Sequence, residues 1–149
     1  MNLEAVAEVE RTVRSVVHHI DRKRWAELRE AFGTEVLTDY TSLFGGAPVR
    51  QAAELLIDTW RGALGAVVTQ HLLGPIDVQL SAADSARASC HVRALHYSPR
   101  GLSGCEWEVL GHYLFELRRD AGAFRIVGMT LETFHQTGNR QLLSEAQRA

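Results

Sequence analysis

Cysteine is scarce, with two residues, Cys90 and Cys105, in a chain of 149. Their spacing matches no zinc site, and in a reducing compartment they read as free small core residues rather than a disulfide, so neither metal nor redox chemistry is expected. An excess of charge of one sign is missing too. The 16 basic and 18 acidic residues are interspersed and leave a net charge of −2, which gives no electrostatic footprint for nucleic acid or an anionic membrane surface. Long apolar runs are also lacking. The opening MNLEAVAEVERTVRS carries Glu4, Glu8, Glu10 and Arg11, which excludes the uninterrupted apolar stretch of a signal peptide, and no later segment is long enough to span a bilayer. A cytoplasmic location is the expectation. No repeat, low-complexity tract or Pro/Gly-rich linker divides the chain, so one domain over residues 1–149 with a single sizeable core is expected from an ordinary 46% hydrophobic content.

What is present is a change of period along the chain. Val6, Val9, Val13, Val16, Val17 and Ile20 recur at three- and four-residue steps, the stripe of an amphipathic helix with Glu4, Glu8, Arg11 and Arg14 turned to water. A second helix is expected through Trp25, Leu28 and Phe32, stopping at Gly33, followed by a strand from Val36 to Leu43 that carries Asp39 and Tyr40. Gly45, Gly46 and Pro48 signal a turn before a third helix from Arg50 to Gly62. The remainder reads as four strands, near Thr69–Leu80, Ala86–Ser98, Glu106–Arg119 and Ala123–Phe134, with a short polar helix from Asn139 to Gln147. Helices first and long antiparallel strands later predict an α+β fold. Its simplest form is a cone-shaped barrel, a curved antiparallel sheet wrapped around three N-terminal helices and open at one mouth.

The strand from Ala86 to Tyr97 sets Ala86, Ala88, Cys90, Val92 and Ala94 on one side, and that side ends in His96; Arg87, Ser89, His91 and Arg93 take the other. Because successive side chains on a strand point to opposite faces, His96 belongs to the buried face, behind residues too small to fill the space before them. Such an imidazole either lines a pocket or is a satisfied core histidine. On the next strand Trp107, Val109, Gly111, Tyr113, Phe115 and Leu117 share the inner face, and His112 points out. Gly111, between large neighbours, is suited to a bulge or bend that makes room for a cavity. Glu132 shares parity with Phe124 and Ile126 and is expected inside as a second acid or base.

The stretch Asp21-Arg-Lys-Arg-Trp25, with Leu28, Asp39-Tyr40-Thr-Ser42, Thr69-Gln70-His71, His96 and Gly111-His112, resembles the SnoaL-like branch of the nuclear transport factor 2-like superfamily, closest in motif to scytalone dehydratase. The resemblance runs from about Val13 to Ile126. It implies a cone with a deep apolar pocket, in agreement with the periodicity. Carried over residue by residue, the dehydratase pattern makes Asp21 and His96 a hydrogen-bonded pair, with His71 and Tyr40 as further polar groups. In the related lindane dehydrochlorinase branch, the residue resembling His71 is the one that pairs with the aspartate. Either arrangement makes a general base, since a carboxylate on one imidazole nitrogen fixes the tautomer and stabilises the imidazolium formed when the other nitrogen takes a proton.

Departures from the dehydratase pattern bear on substrate. A tyrosine that precedes the aspartate there is Ile20 here, and pocket serine and asparagine positions are Phe115 and Leu117, which makes a drier pocket. Trp25, Trp107 and Tyr113 are expected to complete its walls. The expectation is a catalyst without metal or organic cofactor, a dehydratase or isomerase acting on a small apolar ketone or polyketide-like molecule. An epoxide-opening or ring-forming cyclase using His96 with Glu132, and a non-catalytic ligand-binding or assembly module, are the alternatives. The resemblance also implies a homo-oligomer, dimer or trimer. Each polar residue has a plain structural role open to it: Asp21 as a cap on the second helix, Tyr40 as a core tyrosine, His71 as a strand-end hydrogen bonder.

Overall fold

In the computed structural model, which describes residues 1–148, helix α1 covers Leu3–Asp21. Asn2 caps it by accepting from the Ala5 amide at 3.1 Å. Its stripe Val9, Val13, Val16, Val17 and Ile20 is buried against the sheet, as the sequence predicts. The second helix is shorter than expected. Helix α2, Trp25–Leu28, passes through a 3-10 turn at Arg29–Ala31, and Phe32 already opens strand β1, Phe32–Asp39. Gly33 is therefore no helix stop. It has no positive φ, and a Cβ there would sit 3.1 Å from the Val127 side chain, so glycine is needed for close strand packing.

The strand expected to reach Leu43 ends at Asp39, whose carboxylate accepts from the Thr41 amide at 3.0 Å and the Thr41 hydroxyl at 2.7 Å. This side-chain turn competes with the ladder and starts the helical turn α3, Thr41–Phe44. Residues expected to begin the third helix instead form β2, Val49–Ala52, antiparallel to β1, before α4, Ala53–Leu64. The long strand expected at Thr69–Leu80 is two, β3 (Val68–Leu73) and β4 (Asp77–Ala82), broken around Gly74-Pro75. Both pair antiparallel with β5, Ser85–Tyr97. Strands β6 (Glu106–Asp120) and β7 (Ala123–Gly138) follow, and α5, Leu142–Gln147, closes the described chain.

The sheet runs β2-β1-β7-β6-β5-β3, with β4 also on β5. It is curved around the helices but not closed into a barrel, and β1 lies parallel to β7 while the other pairs are antiparallel. Two register shifts in the β6–β7 pair matter for what faces inward. One leaves Val127 unmatched between Gly128 and Ile126; the other leaves Phe134 unmatched between His135 and Thr133. Each extra residue reverses the alternation of β7 beyond it. Phe124 and Ile126 point inward below the first bulge, Met129 and Leu131 above it, and Glu132 is on the exposed outer face beside His112. The expectation that Glu132 faces inside is thereby corrected. Gly111 stands at the second irregularity, where a Cβ would collide with the Glu132 carbonyl.

Candidate functional site

The cone is packed at its narrow end and hollow towards its mouth. Phe115 pairs across the sheet with Ala88 and Met129, and Leu117 with Ala86 and Ile126; both large side chains are fully buried in the core. Bulky β6 residues thus fill the room that the small β5 residues leave, and neither Phe115 nor Leu117 lines the cavity, contrary to expectation. Higher up, β5 contributes Val92, Ala94 and His96 to a cavity of about 270 Å³. Ile20, Trp107 and Tyr113 line it as expected, together with Tyr40 and His71. Trp25 does not. Held on the short α2, it is half-buried over a shallow groove against α4, with the Lys23 ammonium 5.9 Å from its ring.

Asp21 ends α1 where that helix packs on β3. A carboxylate at a helix C-terminus meets the negative end of the macrodipole, so it needs donors from elsewhere. Three are supplied by β3: the Thr69 hydroxyl at 2.9 Å, the His71 amide at 2.9 Å and His71 Nδ1 at 2.7 Å. The pattern follows from the strand's position. Thr69 and His71 lie two residues apart and so share a face, and β3 is the last strand of the sheet path, which leaves the His71 amide free for a side chain. Asp21 does not cap α2, whose N-cap position, Arg24, makes no side-chain cap bond.

Burial raises the Asp21 carboxyl, but the bonds from His71 and Thr69 outweigh it and leave the group below the usual carboxylate range. An ionised carboxylate only accepts, so His71 Nδ1 carries the hydrogen and Nε2 of the neutral ring is a bare lone pair. Among the described residues Nε2 has no hydrogen-bond partner. This is the alternative pairing left open by the sequence; the expected Asp21–His96 hydrogen bond is absent.

His96 instead donates from Nδ1 to the Trp107 carbonyl at 3.0 Å. It pairs directly opposite Trp107 in the β5–β6 ladder, and the two rings stack with centroids 4.5 Å apart. Trp107 is itself tied down, its indole N–H donating to Gln136 Oε1 at 3.0 Å. Burial pushes His96 down to about 4, only partly countered by the Trp107 carbonyl. Near neutral pH the ring is uncharged. His71 and His96 stand edge to face with centroids 6.1 Å apart.

Tyr40, just past the end of β1, extends its hydroxyl to 3.7 Å from Met129 Sδ. Burial, with Tyr113 as neighbour, holds its phenol well above the ordinary range, and burial raises Tyr113 as well. Both remain O–H donors. Gln136 behind Trp107, and Thr38, Gln51 and Trp60 in the cavity wall, are site residues beyond those expected. Trp60 alone had a usable signal, its helical spacing from Leu56 on α4. Among the described residues, no three or more His, Cys, Asp or Glu side chains gather as metal ligands, and no helix is long and apolar enough to cross a membrane.

The comparisons agree with this architecture. A family model described as a SnoaL-like domain matches residues 1–130. The Kfla4162 protein of Kribbella flavida superposes with a TM-score of 0.88 at 25% identity, over 97% of this chain and 99% of that one. A provisionally assigned scytalone dehydratase of Novosphingobium aromaticivorans gives 0.79 at 19% identity, over 91% and 88%. A hexachlorocyclohexane dehydrochlorinase of Novosphingobium barchaimii gives 0.73 at 14%, over 91% and 90%. No curated protein sequence matches the chain.

Proposed function

This chain belongs to the SnoaL-like domain family, and we propose that it is a cofactor-independent lyase or isomerase in which the Asp21–His71 pair removes a proton from carbon next to a carbonyl. The observation that carries this reading is the 2.7 Å bond between Asp21 and His71 at the wall of a mostly apolar cavity. Asp21 fixes the tautomer, and the free Nε2 takes the proton. As the C–H bond breaks, its electron pair moves onto the carbonyl oxygen, and the protonated phenols of Tyr40 and Tyr113 are among the hydrogen-bond donors that line the cavity for that oxygen. The His71 imidazolium, stabilised by the Asp21 carboxylate, then returns its proton. Delivery to another carbon gives isomerisation; delivery to a departing β-hydroxyl gives dehydration and water.

The likeness to a scytalone dehydratase and a dehydrochlorinase supports proton abstraction as the common step. Ile20 and the apolar walls favour a small apolar ketone over a heavily hydroxylated one. A cyclase working through His96 and Glu132 has little support, because Glu132 is on the outer face. An assembly module with a filled cone is disfavoured by the cavity itself. The test is hydrogen–deuterium exchange at the α-carbon of 2-tetralone, followed by NMR in D2O. Wild-type protein is expected to accelerate exchange, and His71→Ala to abolish the acceleration; an equal rate in the two proteins would sink the proposal.

A further inference from the structure

The outer face of the sheet carries a row of donor groups that proton abstraction inside the cone does not use. His91 on β5 lies directly opposite His112 on β6, and His112 directly opposite Glu132 on β7. Residues paired in this way have Cβ atoms about 4.5–5.5 Å apart on one face, so two imidazoles and a carboxylate stand side by side on three neighbouring strands. The two rings are spaced for a shared ion. An ion about 2.0–2.1 Å from a ring nitrogen is roughly 3.2 Å from that ring's centre, and two such centres at a tetrahedral angle are about 5.2 Å apart. The His91 and His112 centroids are 5.3 Å apart, with the ring planes inclined by 78°. Among the described residues no hydrogen bond or ion pair engages either ring or the Glu132 carboxylate; His91 and Glu132 are exposed and His112 is half-buried. The arginines of β5 on this face are already paired, Arg93 donating from Nε to Glu108 at 2.8 Å and Arg87 lying 3.5 Å from Glu116.

We infer that the outer sheet face binds one divalent metal ion of the zinc class, chelated by His91 and His112, with Glu132 as third ligand and water as fourth. The three side chains do not already converge on one point. The two rings form the chelate, and Glu132, which no residue holds, closes on the ion by turning about its own side-chain bonds. Two imidazoles and a carboxylate are a ligand set that suits zinc, and water completes four-coordinate geometry. The inference goes beyond the proposed function and needs none of it, since the ion stands on the opposite face of the sheet from the cavity. Its position gives it a structural task. Val92, Tyr113 and Leu131 are chain neighbours of the three ligands and line the cavity, so the ion ties together, from outside, three strands that form one cavity wall.

The experiment is calorimetric titration of zinc chloride into chelator-treated full-length protein that bears no histidine tag. Wild type is expected to bind one zinc ion per chain at micromolar concentration. His91→Ala and His112→Ala are each expected to weaken binding at least about tenfold, and Glu132→Gln by a smaller factor. His71→Ala and His96→Gln are expected to bind zinc as wild type does, which sets the outer row apart from the histidines of the cavity. Cobalt(II) in place of zinc is expected to give wild type the intense visible absorption of a four-coordinate site, and to lose it in His112→Ala. Zinc is also expected to raise the thermal unfolding midpoint of wild type but not of the double variant His91→Ala/His112→Ala; substitutions on the sheet surface leave the fold in place, which the midpoints without added metal check. No binding to wild type below millimolar concentration, equal binding by the double variant, or loss of binding in His71→Ala would overturn the inference. Unchanged affinity in Glu132→Gln would strike the carboxylate from the site.

Discussion

Two histidines share one corner of the cavity and are held in opposite ways. On the β3 side, His71 is bonded to a carboxylate that β3 itself keeps ionised; on the β5–β6 side, His96 is bonded to a peptide carbonyl and stacked on an indole. A carboxylate partner stabilises a ring that gains a proton, whereas a neutral carbonyl in a dry wall gives little such help. The same side chain in one pocket is thereby a carboxylate-backed ring suited to taking a proton in the first setting and a ring fixed by a carbonyl in the second. The partner on Nδ1, more than burial, separates the roles, since both rings are largely shielded from solvent.

The strongest way to break this contrast is to remove each ring in turn. His71→Ala is expected to lower the α-exchange rate of 2-tetralone by ~10²- to 10⁴-fold, and Asp21→Asn by a similar order because the tautomer is no longer enforced. His96→Gln is expected to change that rate by less than about tenfold. If the larger loss falls on His96, the assignment of base is reversed.

A second contrast is in stability against pH. A His96 lowered from 6.5 to about 4 binds its proton more readily in the unfolded chain, so its contribution is complete above pH 6.5 and lost as pH falls towards 4. The groups facing it, His71, Asp21 and Lys23, act in both directions and are included in that net lowering. The loss amounts to about 3 kcal/mol for a shift of this size. Asp21, lowered from 3.8, adds its own loss only below that pH. Denaturant titrations of wild type and His96→Gln from pH 7 to 4 are expected to show a steep fall in wild type and a shallower one in the variant.

Smaller effects sharpen the picture. Gln136→Leu removes the acceptor of the Trp107 indole, and the unmet N–H is expected to cost about 1–3 kcal/mol in chemical denaturation. Glu132→Gln, on the outer face, is expected to leave stability within about 0.5 kcal/mol and exchange unchanged. A tenfold loss of rate there would restore Glu132 as an acid or base.

The sequence made faces legible, but neither height nor partnership. Alternation on β5 and β6 put His96, Trp107, Tyr113, Phe115 and Leu117 on one side, as the structure has them. It carried no information on which of them lie at the hollow end, because a period of two is the same all along a strand. Glu132 was misplaced for a related reason. Parity holds only while the ladder is regular, and Val127 resets it. The partner of Asp21 depended on which strand ends the sheet and which register brings Thr69 opposite His96, both set by long-range pairing. Trp25, expected in the pocket wall, lies outside it because the second helix is a single turn, Trp25–Leu28, and not a helix running to Gly33.

Asp21 has one further consequence. By accepting the His71 amide through Oδ2, it occupies a main-chain donor on the last strand of the sheet, a place where an unfilled donor invites a stranger's strand. The oxygens that organise an imidazole for chemistry thus also help keep the molecule from recruiting copies of itself through that border.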